Sequence, residues 1–187
     1  ALELWFQPDA VFEVRVLDAI TASYHNPHVE SGYFEARNMA AVADAIATLR
    51  SYRGAYATVN PVNPDLLARS DNRLQPAARN CATSDKDILR RRWLLIDCDP
   101  DRPSGISASD SEHEAALAKA AEVRAGLASL GWPDPIMTDS GNGAQLMYRV
   151  DLPSDDDGLL QRVLAEIATA SDAQVHIDCT VHNASRI

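Results

Sequence analysis

Two aspartates one residue apart, Asp97 and Asp99, close the apolar run Trp93-Leu94-Leu95-Ile96. If that run is a β-strand, its side chains alternate between faces, and both carboxylates project from one side of the sheet. Carboxylates held that close raise each other's pKa unless a cation lies between them. A pair of hard oxygen ligands suits Mg²⁺ or Mn²⁺. A strand-borne Asp-x-Asp therefore points to a metal site for phosphate chemistry. The competing reading is an ordinary strand end, where Asp is common and where Pro100 and Pro103 begin a turn.

Two further segments bear on the choice. In Ser140-Gly141-Asn142-Gly143-Ala144-Gln145, two glycines allow a sharp turn whose N–H groups can approach an anion such as a triphosphate. Gln145 shares a strand face with Met147 and Arg149, a row of donors for phosphate. The same residues equally describe a plain hairpin, since Asn-Gly is the strongest short hairpin signal. Val175-His176-Ile177-Asp178 reads as a short strand ending in an acid, with Asn183-Ala184-Ser185-Arg186-Ile187 beyond it. Asp178 is a third candidate metal ligand or a turn cap, and Arg186 a candidate phosphate partner. Acid pair, glycine turn and third acid together are the parts needed for metal-assisted nucleotidyl transfer. In that chemistry two metal ions about 4 Å apart activate a 3′-hydroxyl and steady the leaving pyrophosphate. Positioning and charge neutralisation carry the reaction, so no Ser/His or Cys/His pair is required.

With these residues in view, the chain resembles the archaeo-eukaryotic primase superfamily, in its bacterial, phage and plasmid primase-polymerase branch. Leu95-Ile96-Asp97-Cys98-Asp99 is similar to the first motif of that family. Ser140-Gly141-Asn142-Gly143-Ala144 is similar to the second, with Gln145 where a His is usual. Ile177-Asp178 through Asn183-Ala184-Ser185-Arg186-Ile187 is similar to the third. The flanking Asp101-Arg102-Pro103-Ser104-Gly105-Ile106-Ser107 and Thr58-Val59-Asn60-Pro61-Val62-Asn63-Pro64 also look like this branch. The likeness runs from about residue 55 onward and is loose over the first fifty.

The resemblance implies an RRM-like primase-polymerase catalytic core that acts as a DNA primase, a primer-extending polymerase or both, in DNA replication or repair. It implies that Asp97, Asp99 and Asp178 hold Mg²⁺ or Mn²⁺. Ser140, Gly141, Asn142, Gly143 and Gln145 would meet the incoming nucleotide, with Arg186 nearby. Its partners would be nucleoside triphosphates and a DNA template and primer, with a helicase or DNA-binding region following in a longer protein. Neutral Gln145 can donate a hydrogen bond to phosphate but cannot become cationic as His can.

The elements that must position these residues follow from periodicity. Alternation of Phe12, Val14 and Val16 with Glu13 and Arg15 predicts a half-buried strand. A polar turn is expected over 24–31, then a short strand at 32–34. Met39, Val42, Ile46 and Leu49 have helical spacing, and 55–59 reads as a strand. Asn63 caps a short helix with Pro64 at its first position, and 70–87 is an irregular loop. The acid strand occupies about 91–98. Ser109 and Glu112 form a capping box for a helix bearing Ala116, Ala120, Val123, Leu127 and Leu130. A hairpin is expected over 136–150, a helix from Ser154, and a last strand over 175–179. Interleaved strands and helices with a hairpin predict an α/β or α+β fold, a mixed, largely antiparallel sheet flanked by helices, in one catalytic domain.

Composition sets bounds. The 187 residues are 46% hydrophobic and 24% charged, ordinary for a soluble globular chain. No apolar run approaches the roughly 18 residues a membrane span needs, and no signal peptide is visible. Cys81, Cys98 and Cys179 cannot all pair, which is expected of reduced thiols in a cytoplasmic protein. The chain opens without Met and stops soon after Arg186, so truncation is expected. A net charge of −10 opposes tight nucleic-acid binding by the domain alone.

Two other functional classes are consistent with parts of the pattern. The acidic charge and Gln145 suit a replication-initiator or single-strand-binding module of the same fold. An Asp-x-Asp sugar-nucleotide glycosyltransferase would also hold Mn²⁺ at a strand end, but has no need of Asp178 near the pair. Arg90-Arg91-Arg92 is either a template contact or a solvated strand entry. His25 and His28 have metal-like spacing without a third ligand, and Tyr56 and Tyr148 read as core or rim residues.

Overall fold

The computed structural model describes residues 2–78, 82–103 and 105–187. Cys81 and Ser104, both singled out above, lie outside them. The chain divides into two compact units, Ala1–Arg91 with Ala184–Ile187, and Arg92–Asn183.

The first unit contains helix α1 (Leu2–Trp5), strands β1 (Val11–Ala19) and β2 (His28–Glu35), helix α2 (Met39–Ala47), and strands β3 (Gly54–Ala57) and β4 (Gln75–Pro76). They form an antiparallel sheet in the order β3-β1-β2-β4. One face of β1 places Phe12, Val14 and Val16 in a core with Phe6, Phe34 and Val42. The Phe6 and Phe12 rings stack at 4.6 Å. β2 begins four residues before the expected strand because its polar residues find side-chain partners, within the strand and on β1. The Ser31 hydroxyl donates to Glu13 at 2.6 Å, and His28 Nε2 lies 2.6 Å from Glu30. A turn-like composition thus concealed half a strand. Asn63 caps the 3₁₀ helix Pro64–Arg69 by accepting the Asp65 amide, as predicted.

The second unit is built from β5 (Arg90–Pro100, all but its first two residues), α3 (Asp110–Ser129), β6 (Ile136–Asp139), β7 (Ala144–Pro153), α4 (Leu159–Ile167) and β8 (Val175–Ile177). Its antiparallel sheet has the order β6-β7-β5-β8. A β-α-β-β-α-β chain in that order is a split β-α-β motif. The mixed, antiparallel, helix-flanked fold predicted from periodicity is present in this coarse sense.

α3 begins with the predicted capping box, Ser109 accepting from the Glu112 amide and Glu112 from the Ser109 amide. Its buried stripe of Ala116, Ala120, Val123 and Leu127 matches the predicted one, except that Leu130 is exposed beyond the helix end. α4 starts at Leu159 rather than at Ser154. The Asp156 carboxylate accepts the amides of Gly158 and Leu160, so the cap lies further along the chain. β5 continues through Pro100, opposite Val175, because a strand's last residue can lack an N–H.

Candidate metal and nucleotide site

β5 buries Ile96 and Cys98 completely while Asp97 and Asp99 are half-buried. This alternation confirms that the two aspartates share a face. Burial pushes the Cys98 thiol up to about 12, and the charges of Asp97 and Asp99 push the same way, whereas the ammonium of Lys119 opposes them.

β8 pairs with β5 so that Cys98 faces Ile177 and Asp99 faces His176. One step further brings Asp178 opposite Asp97, and the Asp178 amide donates to the Asp97 carbonyl at 2.9 Å. Residues directly opposite in such a ladder have Cα atoms about 5 Å apart and side chains on one face. The third predicted acid therefore arrives on the same face as the first two. Asp178 Oδ1 accepts the Thr180 amide at 2.7 Å.

β8 is held at its head by Asp172, whose carboxylate accepts the amides of Gln174 and Val175. Lys119 of α3, almost fully buried, reaches the same carboxylate at 2.9 Å and Glu122 at 2.7 Å. The Lys119 bond, then the two amides, hold the Asp172 carboxyl down at about 2.

The glycine turn meets the acid strand directly. A Cβ on Gly143 would stand 2.6 Å from the Cys98 carbonyl and 2.9 Å from Asp99 Oδ1. Only a residue without a side chain lets the two backbones come this close. Gly141 has φ +80, a left-handed conformation that favours glycine. The amides of the turn are engaged within it. Ser140 N donates to the Gly143 carbonyl, Gly141 N to Asp139, and Asn142 N and Gly143 N to the Ser140 hydroxyl. The hairpin reading thus accounts for the turn's own hydrogen bonds. Two side-chain amides beside the turn keep donors that the turn itself does not use. Asn142 Oδ1 accepts the Ala108 amide, and Gln145 Oε1 accepts the Thr138 hydroxyl, which leaves each NH₂ group to donate elsewhere.

Two features were missed. His113 of α3 lies 2.7 Å from Asp139 Oδ1, one residue before the turn, so a side chain that can become cationic stands beside it. No sequence signal ties residue 113 to residue 139. Along the same face as the acids, the Arg149 guanidinium lies over the Trp93 ring at 5.5 Å.

Arg186 belongs to the first unit, where its carbonyl accepts the Val59 amide. Arg91 is buried and Arg92 pairs with Asp151, so the arginine run is partly structural. His28 commits one ring nitrogen to Glu30 and the other to the Asn26 carbonyl, which opposes a metal at His25 and His28. Tyr148 is buried edge-on to Trp132, whereas Tyr56 is exposed.

Among the described residues, no three His, Cys, Asp or Glu side chains are already gathered as a metal cage. Asp97, Asp99 and Asp178 are hard carboxylate donors on adjacent strands and one face. No helix among the described residues is long and apolar enough to cross a membrane. No family model matches this chain, and neither a curated protein nor a solved structure does.

Proposed function

We propose that this chain is a metal-dependent, template-directed nucleotidyltransferase, a DNA primase or primer-extending polymerase with an RRM-like catalytic core. The observation that carries the reading is the convergence of three strand ends. Asp178 is bonded to Asp97 through the main chain, and Gly143 rests on Asp99. A glycosyltransferase Asp-x-Asp has no use for a third acid so close.

Asp97, Asp99 and Asp178 would hold Mg²⁺ or Mn²⁺, which supplies charge neutralisation at the reacting phosphate and lowers the pKa of the attacking hydroxyl. The chain's own groups do the positioning. The NH₂ groups of Gln145 and Asn142 donate to phosphate oxygens. The Gly143 contact keeps the turn at a fixed height over Asp99. The 3′-oxygen attacks the α-phosphorus, the bond to the bridging oxygen breaks, and pyrophosphate leaves. No protein nucleophile takes part.

A second reading, a nucleic-acid-binding module without turnover, draws support from the turn whose amides are already satisfied. Incubation with a primed template, labelled nucleotides and Mg²⁺ or Mn²⁺ separates the two. Templated product that disappears in Asp97→Ala/Asp99→Ala supports the enzyme. Absence of product in the unaltered chain, or product indifferent to both substitutions, overturns it.

A further inference from the structure

The proposed chemistry makes no use of the outer edge of the first unit's sheet. β3 is the outer strand of the order β3-β1-β2-β4, and it pairs with β1 from Ala57 opposite Val14 to Gly54 opposite Leu17. The pairing reaches back before the strand, where Ser51 bridges Ile20 and the Arg50 and Arg53 amides donate to the Ile20 and Leu17 carbonyls. The backbone of 50–57 is thereby held along β1, while Arg50, Ser51, Tyr52, Arg53 and Tyr56 are exposed. The segment Arg50-Ser51-Tyr52-Arg53-Gly54-Ala55-Tyr56 interleaves guanidinium groups with aromatic rings.

Exposure of these rings is selective. Of the five tyrosines, Tyr33 and Tyr148 are buried, whereas Tyr52 is 45% and Tyr56 43% exposed. Residues 54 and 56 share a strand face, and the Tyr56 ring lies back over Gly54, where a Cβ would stand 2.7 Å from its hydroxyl oxygen. A flat, exposed tyrosine ring is a surface on which a nucleic-acid base stacks, whatever the base. Tyr52 and Tyr56 are at most about 14 Å apart along the chain, roughly the length of four stacked nucleotides.

The charge of the strip has the sign that such a strand requires. Arg50 has no ion pair among the described residues. Arg53 gives its Nε to Asp18 at 3.0 Å, and both side chains are more than half exposed, so the pair is weak and the two Nη groups remain as donors. On β1, Arg15 is matched by Glu13. Across 50–57 and the β1 residues they face, one positive charge stays uncompensated, in a chain of net charge −10.

We propose that residues 50–56 form a docking edge for a single-stranded nucleic acid, with bases stacked on Tyr52 and Tyr56 and phosphates on Arg50 and Arg53. Stacking carries the larger share of the affinity, as suits a chain whose overall charge repels polyanions. The inference is drawn from the first unit and does not require nucleotidyl transfer at Asp97 and Asp99.

A fluorescein-labelled oligothymidylate, titrated into the whole chain in EDTA at low salt and followed by anisotropy, tests it. Binding is expected, retained in Asp97→Ala/Asp99→Ala. In Tyr52→Ala/Tyr56→Ala it should weaken roughly tenfold or more with its salt dependence unchanged. Tyr52→Phe/Tyr56→Phe keeps both rings and should bind like the unaltered chain. In Arg50→Gln/Arg53→Gln the slope of log affinity against log salt should flatten by about 1.4, the value for two phosphates of a single strand. All four side chains are exposed, so every variant should keep its melting temperature. No binding at low salt overturns the proposal. So does unaltered affinity in Tyr52→Ala/Tyr56→Ala, or an unaltered slope in Arg50→Gln/Arg53→Gln. Displacement of the oligonucleotide by polyglutamate at equal charge marks a general polyanion surface and overturns it as well. No arm requires metal or turnover, so failure of this surface and failure of the nucleotidyltransferase reading are separate results.

Discussion

The Asp178 amide donates to the Asp97 carbonyl across 2.9 Å. The separation of these two acids is therefore set by a main-chain ladder and not by the conformation of either side chain. A ladder fixes spacing more firmly than packing does, because one residue of slippage moves every side chain to the other face. Asp99 is tied to Asp97 by the strand itself, and Gly143 is tied to Asp99 by contact.

Replacing Asp99 by Asn keeps size and hydrogen bonding but removes one negative charge from the cation site. Mn²⁺ affinity, read by electron paramagnetic resonance, is expected to fall by more than the roughly 10–100-fold cost of an outer-shell change. Affinity equal to that of the unaltered chain removes Asp99 from the ligand set.

Gly143→Ala sets a methyl 2.6 Å from a carbonyl oxygen that cannot retreat within its strand. The expected cost is about 2 kcal/mol of overpacking, visible as a lower urea midpoint. Nucleotide incorporation should fall further than stability does, because the displaced atom is Asp99 Oδ1. A neutral Gly143→Ala would mean that the turn shifts freely.

The Asp172 carboxyl is held down at about 2, first by the Lys119 bond and then by the Gln174 and Val175 amides. A depressed folded pKa contributes stability that is complete above the unfolded value and lost as pH falls to the folded one. The melting temperature should therefore drop between about pH 4 and about pH 2. In Asp172→Asn this part of the drop should be missing. An unchanged slope in the variant would contradict the assignment.

Cys98 is buried with its thiol held far above neutral pH, whereas Cys179 is exposed. Since the thiolate is the reactive form, iodoacetamide at neutral pH should label Cys179 and leave Cys98 unmodified until the fold is opened with denaturant. Peptide mass mapping gives the answer, and early labelling of Cys98 would show that β5 opens readily.

What was legible in the sequence followed from periodicity and caps. Asp97 and Asp99 were assignable to one face because strand alternation is local, and α3 was legible because Ser109 and Glu112 announce its start. The start of β2 was hidden, since Ser31 finds its partner in Glu13, 18 residues away, and such a pairing leaves no local pattern. The role of the turn was also ambiguous. Ser140 to Gly143 satisfy one another, a fact that depends on atomic positions and not on residue type. His113 beside Asp139 had no signal at all, because a 26-residue separation carries no local pattern.

β8 stands at one margin of its sheet and is three residues long. A strand at that position normally offers a row of unpaired N–H and C=O groups to any passing chain. One so short offers too few to recruit another molecule. Asp178 can thus stand at the rim of the sheet without turning that rim into a seed for aggregation.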